Sequence, residues 1–507
     1  MAEVWYMLSG GIPGGFTLLL FVLLLAQSAW WYIVYRNRVT AGYRAVKNSL
    51  WIFLGWLSLF LLLRYWMPSL VLPIRLAVYP LAGPEFKSGL GYQLARELEE
   101  GIAATNQRWS VGAFRRLGSR PLPAYSLSDA DGNLPKLLLL QWIVTGEWQP
   151  VPTQTDQITL QLKLTNIATG ENSIFEKTGN TNQILEQLAN EIANATGHRK
   201  RPARVAPMSP LWRSVCARSI IAEPNDTTVI KEFEQAYHSD SLATSGFAWM
   251  LQYRMRSKEL DPEIQRWEPA MLRLLHYAET QPLFLQTMGE YLRRRGDVEK
   301  AAAALLLAHG HAPANPEPHF YLSLMSPSQT QTKFQKTAPA HATRAVELDP
   351  GYELARLRML EFLPPNPLQN LLAAIVEPGL KINPDSPQLL LRKAYYQLSE
   401  ANPTQVLVTL NRVINLDSTI STAYYNRGIA YLRMNDTTKA IVDFHKCWAM
   451  NGTVESLYYL GIIYENSAQI DSAIFYLNLR YKNSSRATDG QATIMARGKL
   501  VNLLQKR

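Results

Sequence analysis

The side chains best suited to chemistry are few and scattered. His309 and His311 stand two apart in AHGHAP, a pairing that suits metal ligation or proton transfer, yet no Cys, Asp or Glu lies at ligand spacing beside them. They read as solvated histidines at the end of a helix. Cys216 and Cys447 are too few for a disulfide framework or a four-cysteine zinc site. The basic run Arg293-Arg294-Arg295 complements the dipole of a helix that ends there. Ser9 to Gly15, SGGIPGG, is glycine-rich, but it precedes a long apolar run and so cannot cradle phosphate as a loop between strand and helix does. No phosphate loop, dinucleotide fingerprint, HExxH, GxSxG or kinase set occurs. The expectation is a chain that is not an enzyme, with no catalytic residue, no metal and no cofactor.

The elements that hold such a chain together then carry the argument. The 507 residues are 47% apolar and 18% charged, which excludes disorder and leaves room for several domains. The net charge of +10 invites a nucleic-acid reading, but its placement opposes one. Residues 1–72 hold five Arg/Lys and one acid, leaving +6 over residues 73–507, a mildly basic surface. No nucleic acid is expected as a partner.

From Phe16 to Tyr35 the chain runs twenty residues without a charge. At ~1.5 Å per residue that is about 30 Å, the thickness of a bilayer core. Leu50 to Leu63 continues past Arg64 as YWMPSLVL, and Arg64 sits late enough for its guanidinium to reach the headgroups. Trp30, Trp31, Tyr32, Tyr35 and Trp51 flank one side of this pair, and Trp5, Tyr6, Tyr65 and Trp66 the other, as interface belts do. The pattern predicts a transmembrane hairpin over 1–72, with helices at about 16–35 and 50–72. A cleaved signal peptide is disfavoured, because the leading residues carry Glu3 and no Lys or Arg. The connecting loop carries Arg36, Arg38, Arg44 and Lys47 without an acid, so it should face the cytoplasm and both termini should face outward. In a bacterial inner membrane that places residues 73–507 outside the cytoplasm, in the periplasm.

Residues 73–196 change period repeatedly. Ile74, Leu76 and Val78 alternate as a strand, whereas Leu90, Leu94, Leu98 and Ile102 step by four as a helix. A short helix is expected over 133–141 and a strand from Trp142 to Gly146. Ile158, Leu160, Leu162 and Leu164 mark the clearest strand, joined through Ala168-Thr169-Gly170 to a partner over 171–178. Thr181 is the expected cap of a last helix carrying Ile184, Leu188 and Ile192. A small mixed sheet with packed helices follows. IRLAVYPL, LPKLLLLQWIVTGEW and LQLKLTNIATGE resemble the TolB amino-terminal-like domain, also seen in CadC-like and FlgO-like proteins. The resemblance implies an extracytoplasmic interaction or sensing module without catalysis. The segment after the first strand, YPLAGPEF, departs from that family's pattern.

Residues 197–210, GHRKRPARVAPMSP, have no apolar period and read as a solvated basic linker. Beyond it the chain repeats. Gly428, Tyr431, Ala440 and Phe444 recur 33 residues later as Gly461, Tyr464, Ala473 and Leu477, and 34 residues earlier as Ala394, Val406 and Leu410. Gly289, Gly296, Ala301, Leu305 and Ala308 fit the same frame, and AVELDP and GLKINP end two units 34 apart. This resembles the tetratricopeptide repeat (TPR) family, whose period is about 34 residues. The resemblance implies an α-solenoid of helix pairs over 211–507. About six units lie between Gln281 and Ser485, preceded by a degenerate one across 247–280 and closed by a solvating helix over 491–505. Pro364-Pro365 interrupts one unit, and 326–336 looks inserted. The fold class is therefore multi-domain: transmembrane α-hairpin, small α/β domain, then α-solenoid.

Such an array offers a concave groove lined by the first helix of each unit. In this frame the lining residues are Leu391 and Tyr395, then Tyr425 and Ile429, then Tyr458 and Ile462. Tyrosines there give rigid amphipathic contact area. The Lys and Asn with which one TPR subfamily holds chaperone tails are absent; those positions carry Gln286/Glu290, Leu391/Tyr395 and Tyr425/Ile429. The expected function is a membrane-anchored, non-catalytic scaffold docking a protein partner, with self-association also open. The alternatives are a sensory component of a transmembrane signalling system, or an accessory subunit of an envelope assembly or secretion complex.

Overall fold

The computed structural model describes residues 73–83, 89–107, 109–111, 138–152, 156–223, 226–256, 262–278, 281–325, 338–364, 369–398, 403–450, 453–483 and 490–506. Both predicted spans, in 1–72, lie outside the described residues, as does the expected insertion at 326–336. Among the described residues no helix is long and apolar enough to cross a membrane. The chain divides into two compact units between Phe362 and Leu363, not at the 197–210 stretch that composition suggested.

The first unit begins with a five-stranded mixed sheet of order β2-β1-β3-β4-β5. Its strands are β1 (Ile74–Val78), β2 (Trp109–Ser110), β3 (Trp142–Pro150), β4 (Gln157–Asn166) and β5 (Asn172–Asn180). β1 runs parallel to β2 and β3, whereas β3, β4 and β5 are antiparallel neighbours. Period-two alternation sets the register. Ile158, Leu160, Leu162 and Leu164 of β4 are buried, while Gln161 and Lys163 between them are exposed. The Asn166 side chain accepts from the amides of Ala168 and Thr169, and Gly170 at φ 74° closes the hairpin. Helices α1 (Leu90–Thr105) and α2 (Thr181–Ala195) bring Leu94, Leu98, Ile102, Ile184, Leu188 and Ile192 into the same core.

Three local expectations need correction. Residues 138–141 form a turn rather than a helix end, with Leu139 at φ 55° feeding the chain into β3. Asn180, not Thr181, caps α2: its side chain accepts from the amides of Asn182 and Gln183, while Thr181 donates to the Asp156 carbonyl. The basic stretch after α2 is not a free linker. Ala203 and Val205 are buried, alternating with exposed Pro202 and Arg204, the Ala203 amide donates to Asn190, and the amides of Lys200 and Arg201 donate to the Thr105 carbonyl. A short alternation hidden among charged residues lets this segment cover the helices as an extended strap.

Helices α3 (Pro210–Ile221), α4 (Thr227–Ser239), α5 (Thr244–Arg254) and α6 (Glu268–Ala278) follow around an aromatic core of Trp212, Phe233, Phe247, Trp249 and Trp267. Helical pairs continue as α7 (Pro282–Arg295) with α8 (Val298–His311), and α9 (Glu317–Ser323) with α10 (Ala338–Leu348), then α11 (Glu353–Glu361). Among the described residues, several contacts join this helical layer to the sheet domain. Arg213 of α3 holds Glu97 of α1 with a bidentate bond at 3.0 Å, both side chains nearly fully buried. The guanidinium of Arg96 lies over the Trp249 ring. Arg75 of β1 donates to the carbonyls of Glu347 and Leu348 at the carboxyl end of α10, at 2.6 and 3.2 Å.

The second unit consists of α12 (Gln369–Ile382), α13 (Pro387–Gln397), α14 (Pro403–Leu416), α15 (Ser421–Arg433), α16 (Thr437–Ala449), α17 (Glu455–Asn466), α18 (Ile470–Lys482) and α19 (Gly490–Lys506). In the pairs α15/α16 and α17/α18 the two helices approach closely. A Cβ built on Gly428 would stand 2.7 Å from Phe444, and one on Gly461 would stand 2.7 Å from Leu477. Gly289 of α7 meets Leu305 of α8 in the same way, at 2.5 Å. In each case the partner lies sixteen residues on, so one glycine lets two helices touch. α19 buries Ala496, Leu500 and Leu503 but leaves Ile494, Met495, Val501 and Leu504 exposed, so its outer face is not the polar cap expected.

Candidate functional site

The first helices of three successive units build the candidate groove. α13 starts on Ser386, whose hydroxyl accepts from the Leu389 amide, with Pro387 pre-set for the first turn. α15 and α17 repeat its register at 34- and 33-residue steps, bringing Leu391, Tyr425 and Tyr458 to one helical position and Tyr395, Ile429 and Ile462 to another. The pairs are not equally open. Tyr395 is 51% exposed, whereas the other five are partly buried. The Tyr425 ring lies 6.1 Å from that of Phe444 and 6.0 Å from that of Tyr459, and burial pushes its hydroxyl pKa upward. Tyr458 packs toward Ala473, Leu477 and Leu500, edge-on to Tyr459 at 5.7 Å. Tyr425 and Tyr458 therefore each present one edge outward and lend the rest of the ring to packing between units.

The row is bordered by positive charge. Arg392 and Arg433 are exposed on α13 and at the end of α15, and residues 363–507 carry fifteen Lys/Arg against ten Asp/Glu. Arg427 is held in place by a bidentate pair with Asp443 at 2.8 Å and a bond to Asn411 at 2.7 Å. That pairing was not foreseen, although Arg and Asp sixteen apart follow the same spacing as the glycine contacts.

At the equivalent positions of α7 the first unit is closed rather than open. Gln286 and Glu290 are buried, Asn315 donates to Gln286 at 2.8 Å, and Arg293 and Arg294 both bind Glu290 at 2.7 Å. Burial raises the Tyr321 hydroxyl pKa beside this network. The arginine run thus serves a carboxylate as well as a helix end.

The two histidines singled out by spacing also separate. His309 is mostly shielded and its ring stands edge-on to that of His319 at 4.6 Å, so it is not a solvated turn residue. His311 is half-buried and does not join it. Among the described residues no group of three or more His, Cys, Asp or Glu is arranged to hold a metal. Cys216 and Cys447 are both buried free thiols, and burial raises both thiol pKa values.

No protein-family model matches the sequence, and no curated protein matches it. Solved structures do align in part. A chain of the APC/C hetero-tetramer Cut9–Hcn1 is 13% identical with a TM-score of 0.42, over 58% of this chain and 56% of that one. The alignment thus spans little more than half the length of that neighbour. A human IFIT1 dimer with PPP-AAAA is 11% identical at a TM-score of 0.29, over 64% and 69%. A tetratricopeptide repeat protein from Parabacteroides merdae is 12% identical at 0.26, over 58% of this chain and all of that one.

Proposed function

We propose that this chain is a membrane-anchored, non-catalytic scaffold that docks a protein partner along the first helices of its TPR-type units. The observation that carries the reading is the row of Leu391/Tyr395, Tyr425/Ile429 and Tyr458/Ile462, one pair per unit in one register. Partly exposed tyrosines on a rigid helical frame bind a chain at low entropic cost, because the rings are already fixed by their neighbours. The surrounding Arg392 and Arg433 favour a partner segment that mixes apolar and acidic residues. The apolar runs at 16–35 and 50–72 would supply the anchor, and the charge of the loop between them would place the remainder outside the cytoplasm. Residues 73–196, as a TolB-like module, would hold the first helices of the array.

A photo-crosslinking amino acid at position 395, in native membranes, tests this directly. The expected result is one discrete protein adduct that is absent when the same probe replaces Val408, an exposed residue of a second helix. Adducts of lipid alone, or the same adducts from both positions, would sink the proposal. A reporter that folds only outside the cytoplasm, fused after Arg507, tests sidedness; an inactive fusion reverses it.

A further inference from the structure

Three imidazoles from three consecutive helices meet inside the first unit. His309 lies near the end of α8, His319 in α9 and His341 in α10. Ring centroids are 4.6 Å apart for His309 and His319, and 5.1 Å apart for His319 and His341. The Nδ1 atoms of His319 and His341 approach to 2.8 Å. At that distance one ring donates and the other accepts, so the contact exists only while at least one of them is neutral. His319 is 8% exposed. Nδ1 of His309 and Nε2 of His319 are buried with no hydrogen-bond partner among the described residues.

The charged groups around the cluster do nothing to welcome a proton. Arg344, one turn after His341 on α10, disfavours charge on His309 and His319, and its own partner is Glu347 at 2.9 Å. On α7 and α9, Glu290, Arg293, Arg294 and Glu317 form the separate network with Gln286 and Tyr321. At α11, Glu353 and Asp349 act on Arg356, and Arg358 reaches the Ser323 carbonyl and Glu361. The influences that shift the three rings are burial, the neighbouring imidazoles and Arg344, all of which oppose the charged form.

We propose that His309, His319 and His341 form a proton-operated latch, which fastens α8, α9 and α10 together at neutral pH and releases them in mild acid. Release also loosens the grip on the sheet, because α10 is the helix whose end Arg75 and Ser110 hold through the Leu348 carbonyl. The direction follows from burial, which lowers the pKa of all three: His309 below its ordinary value, His319 well below, and His341 to about 4. An opened segment binds protons with the ordinary value of about 6.5. The latch is therefore complete above that pH, and its contribution is lost progressively as pH falls toward the folded values. His341 alone changes the opening equilibrium roughly thirtyfold between about pH 7.5 and 5.0. Its neighbours act in the same direction, and repulsion among imidazolium rings makes the release cooperative.

Hydrogen exchange of the full-length chain, with rates normalised for the intrinsic effect of pH, reads the latch without any substitution. Between pH 7.5 and 5.0, peptides within 298–325 and 338–348 should lose at least about tenfold in protection, while those within 403–433 hold theirs. No loss, or equal loss in both regions, overturns the proposal. His341→Gln keeps a hydrogen-bonding side chain without the titration, and should flatten the pH dependence; an unchanged slope also overturns it. Should that variant fail to fold, ¹³C-histidine spectra of the wild-type chain decide. The His341 signal must titrate near about 4 and the His319 signal below the free value, and titration of either at the free value sinks the latch.

Discussion

At the scale of single residues, the helix-to-helix turn shows how one backbone requirement is met by different side chains. Gly296, Asn435 and Ala468 occupy the same place in three units, each in the left-handed region, at φ 93°, 57° and 58°. Alanine is the least suited, because its Cβ crowds the following carbonyl. Ala468→Gly should raise the unfolding free energy of the second unit by about 0.5–1 kcal/mol in urea titration. Gly428→Val should do the reverse, costing about 1–3 kcal/mol as its side chain meets the Phe444 ring. The glycines that permit helix contact were legible, since a small residue recurred at a fixed step. The left-handed turns were legible at Gly296 and, more weakly, at Asn435, since asparagine tolerates positive φ, but nothing in Ala468 announces backbone handedness. Depth was likewise hidden: periodicity put Tyr395 and Tyr425 on one face, but only packing against Phe444 and Tyr459 distinguishes them. Tyr425→Ala should destabilise by about 2–4 kcal/mol, and Tyr395→Ala by less than about 0.5 kcal/mol. Equal losses in a melt would show the two rings to be equivalent.

At the scale of elements, the antiparallel hairpin of β4 and β5 was fully readable from alternation and its Gly170 turn. The end of the helix expected across 133–141 was not, for LPKLLLLQ is an apolar run without a decisive period, and residues 138–141, its described part, turn at Leu139. More consequential was the bond between α1 and α3. Glu97 and Arg213 are 116 residues apart, and no local pattern joins them. Arg213 also donates to Asn182 at 2.6 Å, so three helices converge on one guanidinium. Removing one partner strands a buried charge, so Glu97→Ala should cost about 3–5 kcal/mol. Replacing Glu97 and Arg213 together by apolar residues should recover much of that loss. A double-mutant cycle in guanidinium measures both, and additive losses would show the pair to be uncoupled.

At the scale of the whole molecule, the composition of 197–210 suggested a break that the packing does not honour. Ala203, Val205 and Met208 are buried there, and the sheet domain leans on helices that come later in the chain. A fragment of residues 73–196 would expose Glu97 and the aliphatic floor beneath the strap. It should lack a cooperative thermal transition, while residues 73–362 should melt in one. A sharp transition in the shorter fragment would restore the boundary to where composition placed it.

The bond from Arg75 to Leu348 spans 273 residues of sequence. During synthesis at ~5–20 residues per second, β1 emerges roughly 15–55 s before the helix end it must grip. β1 gains its partners β2 and β3 long before that helix end exists, so it is the Arg75 guanidinium, not the strand, that must wait in water for its carbonyls throughout that interval.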